Sequence, residues 1–326
     1  MNWKSIAPLI VFMAGCQSSL TGNEGNLVFS YTADDQIGDF NKPIGIGAAL
    51  DVRVATAGSR VPVTLTRVTS TNPDVLEVIN TASGSFTLQG IGAGEALIEV
   101  EADGPDGTVT DSVNMLAAAP DVVKLYHTCE AATTRNAYYS AGAPVIVPFD
   151  LERSNGQAVI GYGLFPVEFA PAALATLDET SKDQANLHLT LGDAGELTIS
   201  SALDAETLTL TLVDNASIDG ASINPLEGDE VVVFEGDTRF VHVFPTVDGN
   251  RLCQSTATMT AVSATPDLCT ASASTNLDET DLVNETLWLK VEAKAFGTCL
   301  IDVTFPEGAD GAGATTQLEL SVAKKP

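Results

Sequence analysis

The sequence predicts an all-β chain of three tandem β-sandwiches, and three observations lead there. First, one glycine-led alternating stretch recurs three times: Gly90-Ile91-Gly92-Ala93-Gly94-Glu95-Ala96-Leu97-Ile98-Glu99-Val100, then Ala194-Gly195-Glu196-Leu197-Thr198-Ile199, then Phe296-Gly297-Thr298-Cys299-Leu300-Ile301-Asp302-Val303. Alternation with period two marks strands buried on one face. Second, the landmarks keep step: Gly94, Gly195 and Gly297 are 101 and 102 residues apart, while Gly58, Gly156 and Gly249 precede Pro73, Pro171 and Pro266 by 15, 15 and 17 residues. Third, turn residues punctuate the chain at short intervals and helical periodicity is almost absent.

The elements follow in order. Ile6–Ala14 is a short apolar run after Lys4 that ends in Met13-Ala14-Gly15-Cys16, so residues 1–15 are expected to be an export signal too short to span a bilayer. Residues 16–26 are mostly small and polar and are expected to form a flexible tether. The first domain is placed at 27–119, with strands at Leu27–Tyr31, Leu50–Val54, Val61–Thr66, Val75–Val78, Gly94–Val100 and Val109–Leu116, and with Asn72-Pro73-Asp74 as a turn. The second domain is placed at 120–215 and the third at 216–326. A period near one hundred residues and about seven short strands per period fit an immunoglobulin-like sandwich.

Two resemblances sharpen this. Met13-Ala14-Gly15-Cys16 resembles the lipobox of bacterial lipoproteins. The resemblance implies that Cys16 becomes the lipidated N-terminus, with enough acyl chain for stable anchoring. Gln17 follows in place of the Asp that retains many lipoproteins in an inner membrane, so an outer membrane is the expected address. Ser70-Thr71-Asn72-Pro73-Asp74, a Val-rich strand and the glycine-led strand together resemble the bacterial immunoglobulin-like domain of group 2 type. Copy one carries that pattern best. Copy three keeps Ser263-Ala264-Thr265-Pro266-Asp267 and Gly297, and copy two keeps Pro171 and Ala194-Gly195-Glu196. That family implies a spacer or adhesive module and brings no catalytic residues.

Cys129, Cys253, Cys269 and Cys299 remain once Cys16 is set aside, an even number in an exported chain. Four cysteines permit three pairings. Aligning copy three on copy one puts Cys269 at Leu76 and Cys299 at Ala96, both on the buried face, so a Cys269–Cys299 bridge is expected. Cys129 and Cys253 would then pair by elimination, with two buried thiols as the alternative; no C-x2-C spacing supports zinc.

The formal net charge of −28, from 43 acidic and 15 basic residues, opposes binding to nucleic acid phosphates. His188 and His242 lie in alternating strands and His127 beside Cys129, without a G-x-S-x-G elbow, an H-E-x-x-H pair or a P-loop, so no catalytic residue, metal or cofactor is expected. The carboxylate clusters Asp34-Asp35 with Asp39, Asp103 with Asp106, Asp278-Glu279 with Asp281, and Glu307 with Asp310 lack EF-hand spacing and are expected as solvated loops. Tyr138-Tyr139 and Gly161-Tyr162-Gly163 are the candidates for exposed rings. The expected function is a rod-like envelope lipoprotein for adhesion, scaffolding or spacing, held to the membrane through Cys16, with a protein or glycan partner. The alternative is an accessory subunit that captures a glycan, cation or protein at interdomain loops.

Overall fold

The computed structural model describes residues 19–31, 42–105, 107–128, 136–223, 232–274, 287–308 and 313–325. Among them regular structure is almost wholly β, and the chain falls into two compact units: Met1–Pro120 with Glu152–Leu164, and Asp121–Leu151 with Phe165–Pro326.

The first unit contains β1 (Ser19–Thr21), β2 (Leu27–Tyr31), β3 (Ile44–Gly45), β4 (Ala49–Thr56), β5 (Thr64–Ser70), β6 (Leu76–Thr81), β7 (Ser85–Gly90), β8 (Gly94–Gly104) and β9 (Gly107–Ala118). They form two sheets, β1-β2-β4-β7-β6 and β3-β9-β8-β5. Strand β3 runs parallel to β9. Naming β2 and β4 to β9 as strands A to G, with β3 as A′, gives ABED against A′GFC, the strand order of an immunoglobulin-like sandwich. Period-two burial builds the core: Leu50, Val52 and Val54 of β4 and Ala96, Ile98 and Val100 of β8 point inward, with Phe29 edge-on to Phe86 at 6.5 Å.

Two expectations change here. Strand C starts at Thr64, three residues after Val61, because Pro62 has no N–H to give a ladder. Instead the Thr56 N–H donates to the Val61 carbonyl at 2.9 Å and Pro62 bridges Ala55. Residues 19–26, expected as tether, form β1 and a turn against β2. The rest of the signal and tether, including Cys16, lies outside the described residues.

The second unit repeats that order twice. Its strands begin with β10 (Val122–Leu125), β11 (Asn136–Ser140) and β12 (Pro144–Glu152); β13 (Ala158–Val159) falls in the segment assigned to the first unit. Then come β14 (Val167–Ala170), β15 (Ala175–Leu177), β16 (Asn186–Leu191), β17 (Gly195–Ser201) and β18 (Thr207–Val213). The third set is β19 (Gly220–Ile223), β20 (Val232–Phe234), β21 (Thr238–Val247), β22 (Asn250–Gln254), β23 (Thr260–Ser263), β24 (Cys269–Ser274), β25 (Trp288–Ala293), β26 (Gly297–Phe305) and β27 (Ala314–Ala323). Strand β11 runs parallel to β18, and β20 to β27, so each set again has an A′ strand on strand G. The sets share a sheet: β22 pairs parallel with β11 and antiparallel with β21, which joins strands of both into one nine-stranded sheet. Tyr138 and Val213 of the earlier set accordingly pack on the core of the later one.

The landmark glycines explain the repeat. Gly94, Gly195 and Gly297 open strand F with φ of +147°, +159° and +144°, a region open essentially to glycine alone. A Cβ there would meet Val75, Leu174 and Leu268 respectively at 3.2, 3.1 and 3.1 Å. Gly297→Ala should therefore cost about 1–3 kcal/mol, read as a lower urea midpoint at unchanged slope; an unchanged midpoint would show that the backbone at 297 relaxes freely and Leu268 yields with it.

Candidate functional site

The cysteines come first. Cys269 on β24 and Cys299 on β26 form a disulfide with Cα atoms 5.8 Å apart, tying strand D of one sheet to strand F of the other. Both are fully buried, as are Leu76 and Ala96 at the matching places of the first repeat. Cys253 on β22 is also disulfide-bonded; Cys129, the partner expected for it, lies outside the described residues, and so does Cys16.

The histidines have structural roles. His242 stacks on Trp288 at 4.8 Å and lies 4.2 Å from Phe244, whose ring carries the Arg251 guanidinium at 5.3 Å. Burial lowers its pKa and favours the neutral imidazole. His188 Nε2 bonds Asp183 at 2.9 Å in a turn that also receives the Ala185 N–H and the Asn186 side chain. His127 Nδ1 shares a 2.9 Å hydrogen bond with Tyr139 Oη, both side chains buried. Tyr139 is thus a core residue, Tyr138 packs on the third repeat, and Tyr162 donates to Asp51 at 3.0 Å.

Carboxylates act as local acceptors. Asp103 receives the Thr108 hydroxyl at 2.6 Å, and Glu307 receives the Asn215 amide at 3.0 Å. Asp34, Asp35, Asp39, Asp106, Asp278, Glu279, Asp281 and Asp310 lie outside the described residues. Among the described residues no group of three or more His, Cys, Asp or Glu is placed to hold a metal ion. No helix among them is long and apolar enough to cross a membrane.

Asp111 was not singled out by motif, though it occupies the inward register of β9 with Val113, Met115 and Ala117. Its Oδ1 accepts the N–H groups of Glu24 (2.9 Å) and Ser112 (2.8 Å), and its Oδ2 those of Asn26 (2.8 Å) and Leu27 (2.7 Å). Burial opposes the charge. Hydrogen bonds with the Glu24 side chain and from the Leu27, Glu24 and Ser112 backbone outweigh it and hold the carboxyl below the ordinary aspartate range. The carboxylate fastens the β1–β2 turn to strand G.

The corner from A′ to B is built alike three times. N–H groups of Ile46, Ala141 and Glu235 donate to the carbonyls of Ala118, Val213 and Ala323 at the end of strand G. Gly47, Gly142 and Gly236 follow at φ of +93°, +71° and +85° and donate to Gly90, Gly192 and Ala293. In the first unit the outer edge of this corner is filled by residues 152–164. Gly45 N–H donates to Ile160 O and Ile160 N–H to Pro43 O, both at 2.9 Å, while Ala49 and Tyr162 exchange two bonds. In the second unit the same edge of β11 takes β22, with Tyr138 opposite Leu252 and Tyr139 opposite Gln254. Ser140 Oγ there donates to Asn215 (2.8 Å) and bonds Ser255 (3.0 Å), and Asn215 donates to Thr256.

Both filling segments are connections from strand B to strand C. They span 14 residues after β12 and 12 after β21, against 7 after β4. The longer connections carry the residues that add to an A′ edge.

No family model matches the chain, and no curated protein matches it. Among solved structures it is similar to a fragment of the surface layer protein SbsC covering domains 4–9, with 14% identity, a TM-score of 0.27, and coverage of 91% of this chain and 47% of that one. It is similar to the Escherichia coli adhesin FdeC, with 17% identity, a TM-score of 0.25 and coverage of 87% and 94%. It is similar to invasin, a bacterial integrin-binding protein, with 13% identity, a TM-score of 0.24 and coverage of 91% and 60%. The chain spans about half the length of the SbsC fragment, and none of these likenesses carries a residue role or a partner to it.

Proposed function

We propose that this chain is a non-catalytic envelope lipoprotein, anchored through Cys16 to an outer membrane, in which three immunoglobulin-like modules (27–119, 120–215 and 216–326) form a rod that spaces or presents an adhesive surface. The observation that carries the reading is the filled A′ edge. A chain that twice spends a longer B–C connection on closing a sheet edge beside another repeat is built to hold repeats in series, as a spacer requires.

The supporting facts are of one kind. His242 stacks on Trp288, His188 and His127 hydrogen-bond to Asp183 and Tyr139, Asp103, Asp111 and Glu307 accept hydrogen bonds from the fold, and the Cys269–Cys299 bridge ties two sheets.

Intact mass of the membrane-extracted protein tests the anchor. The expected mass begins at Cys16 with acyl chains added, and the other four cysteines alkylate only after reduction. Small-angle scattering tests the shape, with an elongated particle expected. An unlipidated chain would remove the anchor from this reading, and one compact globule would remove the rod.

A further inference from the structure

In the first two repeats the outer edge of strand A′ is filled by an extended segment that adds parallel to it. The third repeat carries the same edge on β20, and among the described residues no strand pairs with it. Register fixes the equivalence: Ile44 opposes Ala117 and Val233 opposes Val322, while Gly94 and Gly297 oppose those same strand-G residues, so Pro43, Ile44 and Gly45 correspond to Val232, Val233 and Phe234. The corner behind it is made by the same three backbone bonds, since Glu235, Gly236 and Asp237 donate to Ala323, Ala293 and Phe234.

What differs is the dressing of that edge. Where the first repeat has Gly45 on that edge and the second Ser140, the third has Phe234, 37% exposed; Phe296, 61% exposed, stands just before β26 on the inner side of β27, where the other repeats have Ala93 and Ala194. Val232 O, the counterpart of the Pro43 carbonyl that accepts the Ile160 N–H, accepts the Arg239 guanidinium at 3.1 Å. Lys324 lies over the Phe296 ring at 5.7 Å, and Lys325 pairs with Asp237 at 2.8 Å. Three of the chain's 15 basic residues, Arg239, Lys324 and Lys325, thus lie at this corner, beside the exposed Glu235 and the Lys325 partner Asp237, in a chain of net charge −28.

We propose that the outer edge of β20 docks an extended segment of a partner protein, added parallel to β20 as the residues around Ile160 are added to β3. The segment is apolar at the residue opposite Val233 and acidic at its flanks. Main-chain hydrogen bonds supply affinity in such strand addition and the flanking contacts supply selectivity. Phe234 N–H takes the donor place that Gly45 holds, Arg239 yields Val232 O to the incoming N–H, and Arg239, Lys324 and Lys325 meet the acidic flanks. A second copy fits the edge poorly by its first repeat, whose B–C connection folds back on Thr56 and Ala55. This inference does not depend on the membrane anchor.

The test uses the full chain and a labelled peptide of sequence Glu-Asp-Gln-Ala-Val-Ile-Gly-Tyr-Asp-Glu, which places the segment around Ile160 between acidic flanks. Binding is followed by fluorescence anisotropy at low and high salt, and amide shifts of the isotope-labelled chain locate the site. Binding with shifts at Val232–Phe234 and Lys324 is expected, weakening with salt. It should fall about tenfold when the peptide isoleucine is replaced by proline, the value of one main-chain hydrogen bond. A lysine-flanked peptide and the surface variant Phe234→Asp should weaken it similarly. No binding, equal binding of the proline peptide, or shifts elsewhere would overturn the proposal. Self-association of the chain alone that Phe234→Asp abolishes would give the edge to a second copy and overturn the assigned partner.

Discussion

Replacing Cys269 and Cys299 together by alanine is expected to lower the stability of the second unit by about 3–4 kcal/mol. The bond closes a loop whose ends are 30 residues apart, and cross-linking a loop of that length removes about that much denatured-state entropy in the chain-entropy model. Both side chains are fully buried, so the two lost sulfur atoms add a small cavity cost in the same direction. Urea denaturation of the oxidised protein against the double variant measures it. Loss below about 1 kcal/mol would mean that the reduced chain already confines this loop. Because β22 belongs to the sheet of both later repeats, the midpoint should fall for probes in either.

Asp111→Asn is expected to cost about 3 kcal/mol, since hydrogen bonds to a charged acceptor contribute more than neutral ones and a buried donor left unmet is costly. Asparagine keeps one acceptor oxygen and turns its amide toward two of the four N–H groups that the carboxylate now satisfies. The pH dependence has a definite sign. The folded-state pKa is lowered, so the stabilisation is present above the ordinary aspartate value, about 3.9, and is lost as pH falls through the lower folded value. The wild-type first unit should therefore lose stability on acidification in that window, and Asp111→Asn should flatten this limb. Equal acid slopes in the two proteins would assign the effect to other carboxylates.

Local pattern carried much of the fold. Leu27–Tyr31 has the same limits in sequence and structure, and the recurring glycine-led stretch is strand F each time, because alternation and a positive-φ glycine are local properties. The Cys269–Cys299 bridge was legible through register, as both positions align with buried residues of the first repeat. Strand β22 was not. Its pairing with β11 joins residues more than a hundred apart in sequence, and nothing in Asn250–Gln254 marks which edge will receive it. Asp111 left a readable sign, a charge on the apolar face of an alternating strand, but its four partners sit over 80 residues away apart from Ser112. Residues 19–26 looked like tether because their order is conferred by Asp111 and β2 and not by their own composition.

The parallel pairing of A′ with G, in β3–β9, β11–β18 and β20–β27, has a mechanical meaning. A pull on a repeat enters through its first strands and leaves through its last, so two parallel neighbours are drawn past each other along their length. The bonds between them then share the load and must fail together, where an antiparallel hairpin pulled from its open end would unzip one bond at a time. Should the third repeat yield, the bridge still withholds the stretch from Cys269 to Cys299, whose ends are 30 residues apart, about 100 Å of extended chain. Under tension the third repeat would release a chain shorter by that length.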